Sequence, residues 1–98
     1  MPKFYIQIPH EAEPMACLKA IKVLQQTGSH FLTHAQYGCK DEDHNARIFV
    51  EVDNKHDALM IVPPAYRQNA TVIEMTCFSP EEVERLMKYH SGEQSESR

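Results

Sequence analysis

Phe4, Ile6 and Ile8 alternate with Lys3, Tyr5 and Gln7, and Ala46, Ile48, Val50 and Val52 alternate with Arg47, Phe49 and Glu51. Successive side chains of a strand point to opposite faces, so this alternation assigns each segment one apolar face for a core and one polar face left over. A one-residue slip would turn the whole apolar set to water, so the phase is strongly specified. The leftover faces carry more than neutral filler. Tyr5 and Gln7 lie on the first strand and Arg47 and Glu51 on the third, while His34 and Gln36 fall on a second strand read over residues 30–37. Glu74, in a less regular fourth strand over 70–78, is expected to join them.

Between these strands the period changes. From about residue 12 to 27, Leu18, Ile21 and Leu24 or Gln25 recur at helical spacing, Pro14 suits the first turn and Gly28 supplies a stop. This helix is expected to pack on Phe4, Ile6 and Ile8. In the second strand Phe31, Thr33, Ala35 and Tyr37 face one way and His30, Leu32, His34 and Gln36 the other, and Gly38 to Asn45 read as a long polar hairpin loop. Asn54 opens a short helix over Lys55 to Val62, which Pro63-Pro64 ends, because the residue before a proline is pushed out of the α region. The fourth strand is mixed on both faces and is expected to be covered on both. Ser79-Pro80-Glu81-Glu82 then combines a serine cap, a proline in the first turn and a glutamate three residues after the serine, so a last helix runs to about Tyr89.

The order β-α-β-β-α-β followed by a helix predicts an α+β, ferredoxin-like domain over residues 1–89, with a four-stranded antiparallel sheet and helices on one face. Residues 90–98, rich in Ser and Glu, read as a disordered tail. An open face bearing Tyr5, Leu32 and Phe49, with Phe78 near it, is too apolar to leave in water, so a homodimer packed sheet to sheet is expected.

Composition narrows the partners. A net charge of −4 with scattered Lys and Arg argues against nucleic acid, which needs a basic stripe. The longest apolar run, Ala58 to Val62, is too short for a bilayer, and Met1 to Ile6 lead straight into a strand without the pattern of a signal peptide, so a soluble chain away from the membrane is expected. Cys17, Cys39 and Cys77 are an odd number without CxxC spacing; they suggest neither a disulfide framework nor a zinc ribbon, and a reducing cytoplasm is the expected location.

Two chemistries compete on these residues with a plain sheet surface. In the first, the open face binds a small anionic or aromatic ligand. His34 serves there as acid or base, Glu51 and Glu74 tune it, and Tyr5, Gln7, Arg47 and Phe49 hold the ligand, as in an isomerase or cofactor-free oxygenase. Ordinary cross-strand pairing of Arg47 with the glutamates is the bland account. In the second, His30, His34, Cys39 and His44 hold nickel, zinc or iron, with Asp41 and Asp43 in the same loop, although the spacing matches no established motif. His10, His56 and His90 are read as solvated, Cys17 as a core or hairpin residue, and Pro63 to Arg67 as a rigid stop that aims the chain into the last strand. A ligand-free interaction module is the third reading. No Gly-rich phosphate loop, GxSxG or HExxH motif occurs.

Gly38-Cys39 followed by Asp43-His44, Val62-Pro63-Pro64 with Arg67, and Phe78-Ser79-Pro80-Glu81-Glu82 resemble a group of small uncharacterised bacterial proteins over roughly residues 37 to 86. The architecture is similar to the dimeric α/β-barrel superfamily, which holds small monooxygenases, muconolactone-isomerase-like enzymes, stress-responsive proteins and ligand-binding regulatory domains. Some small relatives are nickel binders. The resemblance implies a dimer and carries over no catalytic residue, since the fold hosts unrelated activities.

Overall fold

A computed structural model describes residues 1–27 and 29–96. The elements are β1 (Lys3–Pro9), α1 (Pro14–Thr27), β2 (Gln36–Gly38), β3 (Asp43–Glu51), α2 (Lys55–Ile61), the single turn α3 (Pro64–Arg67), β4 (Thr71–Met75) and α4 (Pro80–Glu96). The strands form one antiparallel sheet in the order β2-β3-β1-β4. The protein is therefore α+β with an open four-stranded sheet. Among the described residues no helix is long and apolar enough to cross a membrane.

The strand phase read from the alternation holds. Phe4, Ile6 and Ile8 are buried and pair with the buried Val50, Ile48 and Ala46 of β3. Leu24 of α1, Ala58 and Ile61 of α2, and Val62 close over that face. Each fully buried large apolar side chain contributes about 1.5–3 kcal/mol, so this layer supplies most of the stability. Caps set the helix starts: Asn54 accepts from the Asp57 N–H at 2.8 Å, and Ser79 and Glu82 form the reciprocal capping box at 3.1 and 3.2 Å.

Several expectations are corrected. Residues 30–34 form a 3-10 turn instead of a strand: Ser29 accepts from the Phe31 N–H through its side chain and from Leu32 N through its carbonyl, and Thr33 Oγ1 donates to the His30 carbonyl at 2.8 Å. Local side-chain bonds of this kind compete with a strand ladder, and Leu32 enters the core instead of the open face. The hairpin loop is shorter than expected, with a 3-10 turn at Cys39–Asp41 and Glu42 in the left-handed region at φ 58°. In α1 the buried stripe is Cys17, Ala20 and Leu24, while Leu18 is exposed. In β4 only Val72 is buried, so Ile73 and Met75 leave one face bare where cover on both was expected.

The last helix continues past Tyr89 to Glu96 through much of the segment read as a tail, whose final residues 97 and 98 lie outside the described residues, as does the Gly28 stop. Of the described side chains in α4 none is buried; Leu86, Met87 and Tyr89 are all exposed. The molecule is correspondingly elongated, at 57 × 28 × 23 Å.

Candidate metal centre

At one end of the sheet, three segments distant in sequence converge. His10 follows β1, and its N–H donates to the His44 carbonyl at 3.0 Å, which carries the β1–β3 pairing one residue past Pro9 and Asn45. Cys17 lies in the first turn of α1, where its N–H donates to the Glu13 carbonyl at 2.8 Å while the Glu13 carboxylate accepts from Met15 and Ala16. Cys39 begins the turn between β2 and β3. Gly38 precedes it because the chain there has no room for a side chain: a Cβ would stand 2.8 Å from the Asp43 carbonyl oxygen.

The side chains meet closely. His10 Nε2 lies 3.2 Å from Cys17 Sγ and 3.1 Å from Cys39 Sγ, and the two sulfurs are 3.2 Å apart. The His44 ring stands edge-on to His10 at 5.8 Å between centroids. One donor atom from each of His10, Cys17, Cys39 and His44 falls within 4.8 Å of every other. A tetrahedral zinc with bonds of about 2.0–2.3 Å spaces its ligands by roughly 3.3–3.8 Å, so His10, Cys17 and Cys39 need open by only a few tenths of an ångström while the His44 ring closes in by roughly 1–1.5 Å, within reach of a side-chain rotation.

The electrostatics suit a cation. Burial lowers the His10 pKa from its usual 6.5, the His44 imidazole lowers it further, and the Ile8 backbone opposes both; the ring is thereby kept neutral, the form that binds a metal. The Cys17 thiol is raised above 9.0, first by its hydrogen bond to Cys39 and then by burial and the neighbouring sulfur. Two thiolates so close repel unless a positive charge lies between them. His44 Nδ1 and the Tyr37 hydroxyl are buried without a hydrogen-bond partner, and burial, then the nearby Cys39, raises the Tyr37 pKa. Buried polar atoms without partners are rare and mark a place where something else completes the bonding.

Of the metal set read from the sequence, Cys39 and His44 are in this centre. His30 and His34 are not: they sit on the exposed 3-10 turn with their rings 6.1 Å apart, because that segment does not continue the sheet. His10, read as solvated, and Cys17, read as a core or hairpin residue, take their places. The signal that would have found His10 is strand register, since pairing Ile8 with Ala46 sets His10 beside His44; Cys17, on α1, has no such signal in the sequence. Asp41 is exposed, and Asp43 turns to Arg47.

The open face assembles part of the proposed ligand site. Tyr5, His34, Gln36, Arg47 and Phe49 line a concavity of about 290 Å³. Arg47 Nε donates to the Tyr5 hydroxyl at 2.9 Å, Tyr5 donates to Gln7 Oε1 at 2.8 Å, and the Tyr5 and Phe49 rings lie 5.4 Å apart. Arg47 Nη2 also reaches Asp43 Oδ2 at 2.9 Å; the Arg47 bond, then that from Asn45, holds the Asp43 carboxyl below its usual range. Glu51 and Glu74 line no part of this concavity. Glu51 is opposite Lys3 and four residues from Arg47, about 13 Å along the strand. Glu74 is opposite Phe4 and so has the phase of Val72 instead of Ile73, exposed on the edge strand. A larger groove, about 490 Å³, is lined by Met1, Lys3, Phe49, Glu74, Met75 and Cys77; it shares Phe49 with this concavity and includes none of His10, Cys17, Cys39 and His44.

Comparison of the chain with protein-family models, with curated proteins and with solved structures returns no match.

Proposed function

We propose that this is a transition-metal-binding protein whose centre is His10, Cys17, Cys39 and His44, with zinc as the best-fitting cation. The observation that carries the proposal is the convergence of two imidazoles and two thiols, from three separate segments, within 4.8 Å. Two thiolates cancel the charge of a divalent cation, and four protein ligands leave no open position, the pattern of a structural site. Bound there, the ion joins α1 to the sheet and to the β2–β3 hairpin. Nickel and iron accept the same donors, and metal analysis separates them.

The test is elemental analysis of protein purified without a metal-affinity tag. About one zinc per chain is expected, falling sharply in Cys17→Ser and His44→Ala; wild-type protein that neither retains nor takes up a divalent metal refutes the proposal. Thiol ligands also support work in a reducing cytoplasm.

A second reading rests on the concavity at Tyr5, His34, Arg47 and Phe49. The sheet order supports a ferredoxin-like domain, and the exposed Phe49 and Ile73 support closure of that face by a twin subunit in the manner of a dimeric α/β barrel. A small carboxylate or aromatic compound held by Arg47 and Phe49 would then occupy the interface. Sedimentation of the wild type and Phe49→Asp decides it: the dimer should dissociate in the variant, and a wild-type monomer ends this reading.

A further inference from the structure

Cys17 and Cys39 are free thiols with their sulfurs 3.2 Å apart. They are unlike in access, Cys17 being buried and Cys39 half-buried at the turn. The third cysteine, Cys77, is exposed and outside the cluster. We infer that the Cys17–Cys39 pair is an oxidative modification site, at which a peroxide converts the two thiols to a disulfide and expels the metal. This rests on the metal-binding reading for its consequence, though not for the pairing of the sulfurs.

The chemistry balances with hydrogen peroxide as the oxidant. Cys39, the more accessible sulfur, attacks one peroxide oxygen; the O–O bond breaks, the departing hydroxide takes a proton to become water, and Cys39 becomes a sulfenic acid. Cys17 then attacks the Cys39 sulfur, forming the S–S bond and displacing a second hydroxide, which also takes a proton. Two thiolates have lost two electrons, peroxide has become two waters, and the two protons come from solvent. No side-chain search over a long loop is needed, because the resolving sulfur already touches the attacked one. A disulfide offers no thiolate, so the centre falls from four ligands to two imidazoles and the cation leaves.

The experiment uses the full chain carrying Cys77→Ser, a position outside the centre, loaded with zinc and treated with hydrogen peroxide. A chromogenic chelator reports zinc release and peptide mapping without reductant reports the cross-link. The expected result is loss of the bound zinc in step with both thiols, a peptide joining Cys17 to Cys39, and full recovery of zinc binding after a phosphine reductant. Zinc retained under peroxide, or released with Cys39 over-oxidised and no cross-link to Cys17, overturns the inference. Zinc-free protein is treated in parallel. A chain that never takes up zinc refutes the metal reading, and the cross-link in that sample still decides whether the pair is an oxidation site. Wild-type mapping gives the same answer should the variant fold poorly.

Discussion

His10 Nε2 lies 3.1 Å from Cys39 Sγ although 29 residues separate them in the chain. Antiparallel pairing of β1 with β3 causes this: the strands run together as far as Pro9 and Asn45, so the next residue of β1 emerges beside the hairpin that carries Cys39 and His44. The site is thus a product of the sheet's register, and changes to either should be felt in the other.

Zinc should stabilise the fold through that coupling. A ligand at about 100 times its dissociation constant that binds only the native state adds about 2.7 kcal/mol. For a domain of this size that raises Tm by roughly 10–20 °C. Thermal unfolding by circular dichroism should show the gain, a chelator should reverse it, and His44→Ala should lose most of it.

Gly38→Ala should damage the hairpin and the centre together. Its φ of −94° is open to any residue, so the cost is steric: the new Cβ would meet the Asp43 carbonyl oxygen at 2.8 Å and the Asp43 Cβ at 2.9 Å. Overpacking of this kind costs about 1–3 kcal/mol and moves the adjoining Cys39. Urea unfolding with a competitive zinc titration measures both; unchanged values would mean that β2 yields freely.

Ile6→Ala should cost about 2–5 kcal/mol in urea unfolding. Ile6 is wholly buried in a strand flanked on both sides, opposite Ile48 of β3 and Val72 of β4. Leu18→Ala, on the exposed side of α1 at 60% accessibility, should stay within about 0.5 kcal/mol.

Acid should weaken the metal-free protein through His10. Its folded pKa lies below the unfolded 6.5, with His44, Cys17 and Cys39 facing it. Between those two values the unfolded chain binds more protons, so the stability present above 6.5 is lost as pH falls through 6.5 toward the folded value. Urea midpoints of zinc-free protein from about pH 7.5 to 5 should fall, and His10→Gln should flatten the slope. An equally steep slope in the variant would assign the effect elsewhere.

The Arg47–Asp43 pair should matter little to stability. Both side chains are substantially exposed, at 35% and 43%, so a double-mutant cycle with Arg47→Ala and Asp43→Ala should give a coupling within the error of the unfolding measurements. A much larger value would make the pair a structural clamp instead of a group free to meet a ligand on the open face.

Much of the fold was legible in the chain because burial imposes a period. The phases of β1 and β3, the Asn54 cap and the Ser79–Glu82 capping box all follow from residues close in sequence. Of the segment expected as a strand over 30–37, Gln36 and Tyr37 do pair in β2, whereas residues 30–34 turn because the hydrogen bonds of Ser29 and Thr33 close a 3-10 turn without regard to hydrophobic period. Glu74 was misplaced for a different reason: β4 is apolar on both faces, and only its pairing with Phe4 reveals which way it points.

The candidate centre shows the division most clearly. Residue order alone determined that a donor-rich segment, Cys39 to His44, would fall in a hairpin and that the neighbouring strands would each bury one face. Which distant side chains complete the set was decided by tertiary structure, since His10 reaches the hairpin through the register of β1 on β3 and Cys17 through the packing of the first turn of α1 against it. Ligand geometry depends on positions in space to within an ångström, whereas sequence pattern conveys periodicity along one strand or helix at a time.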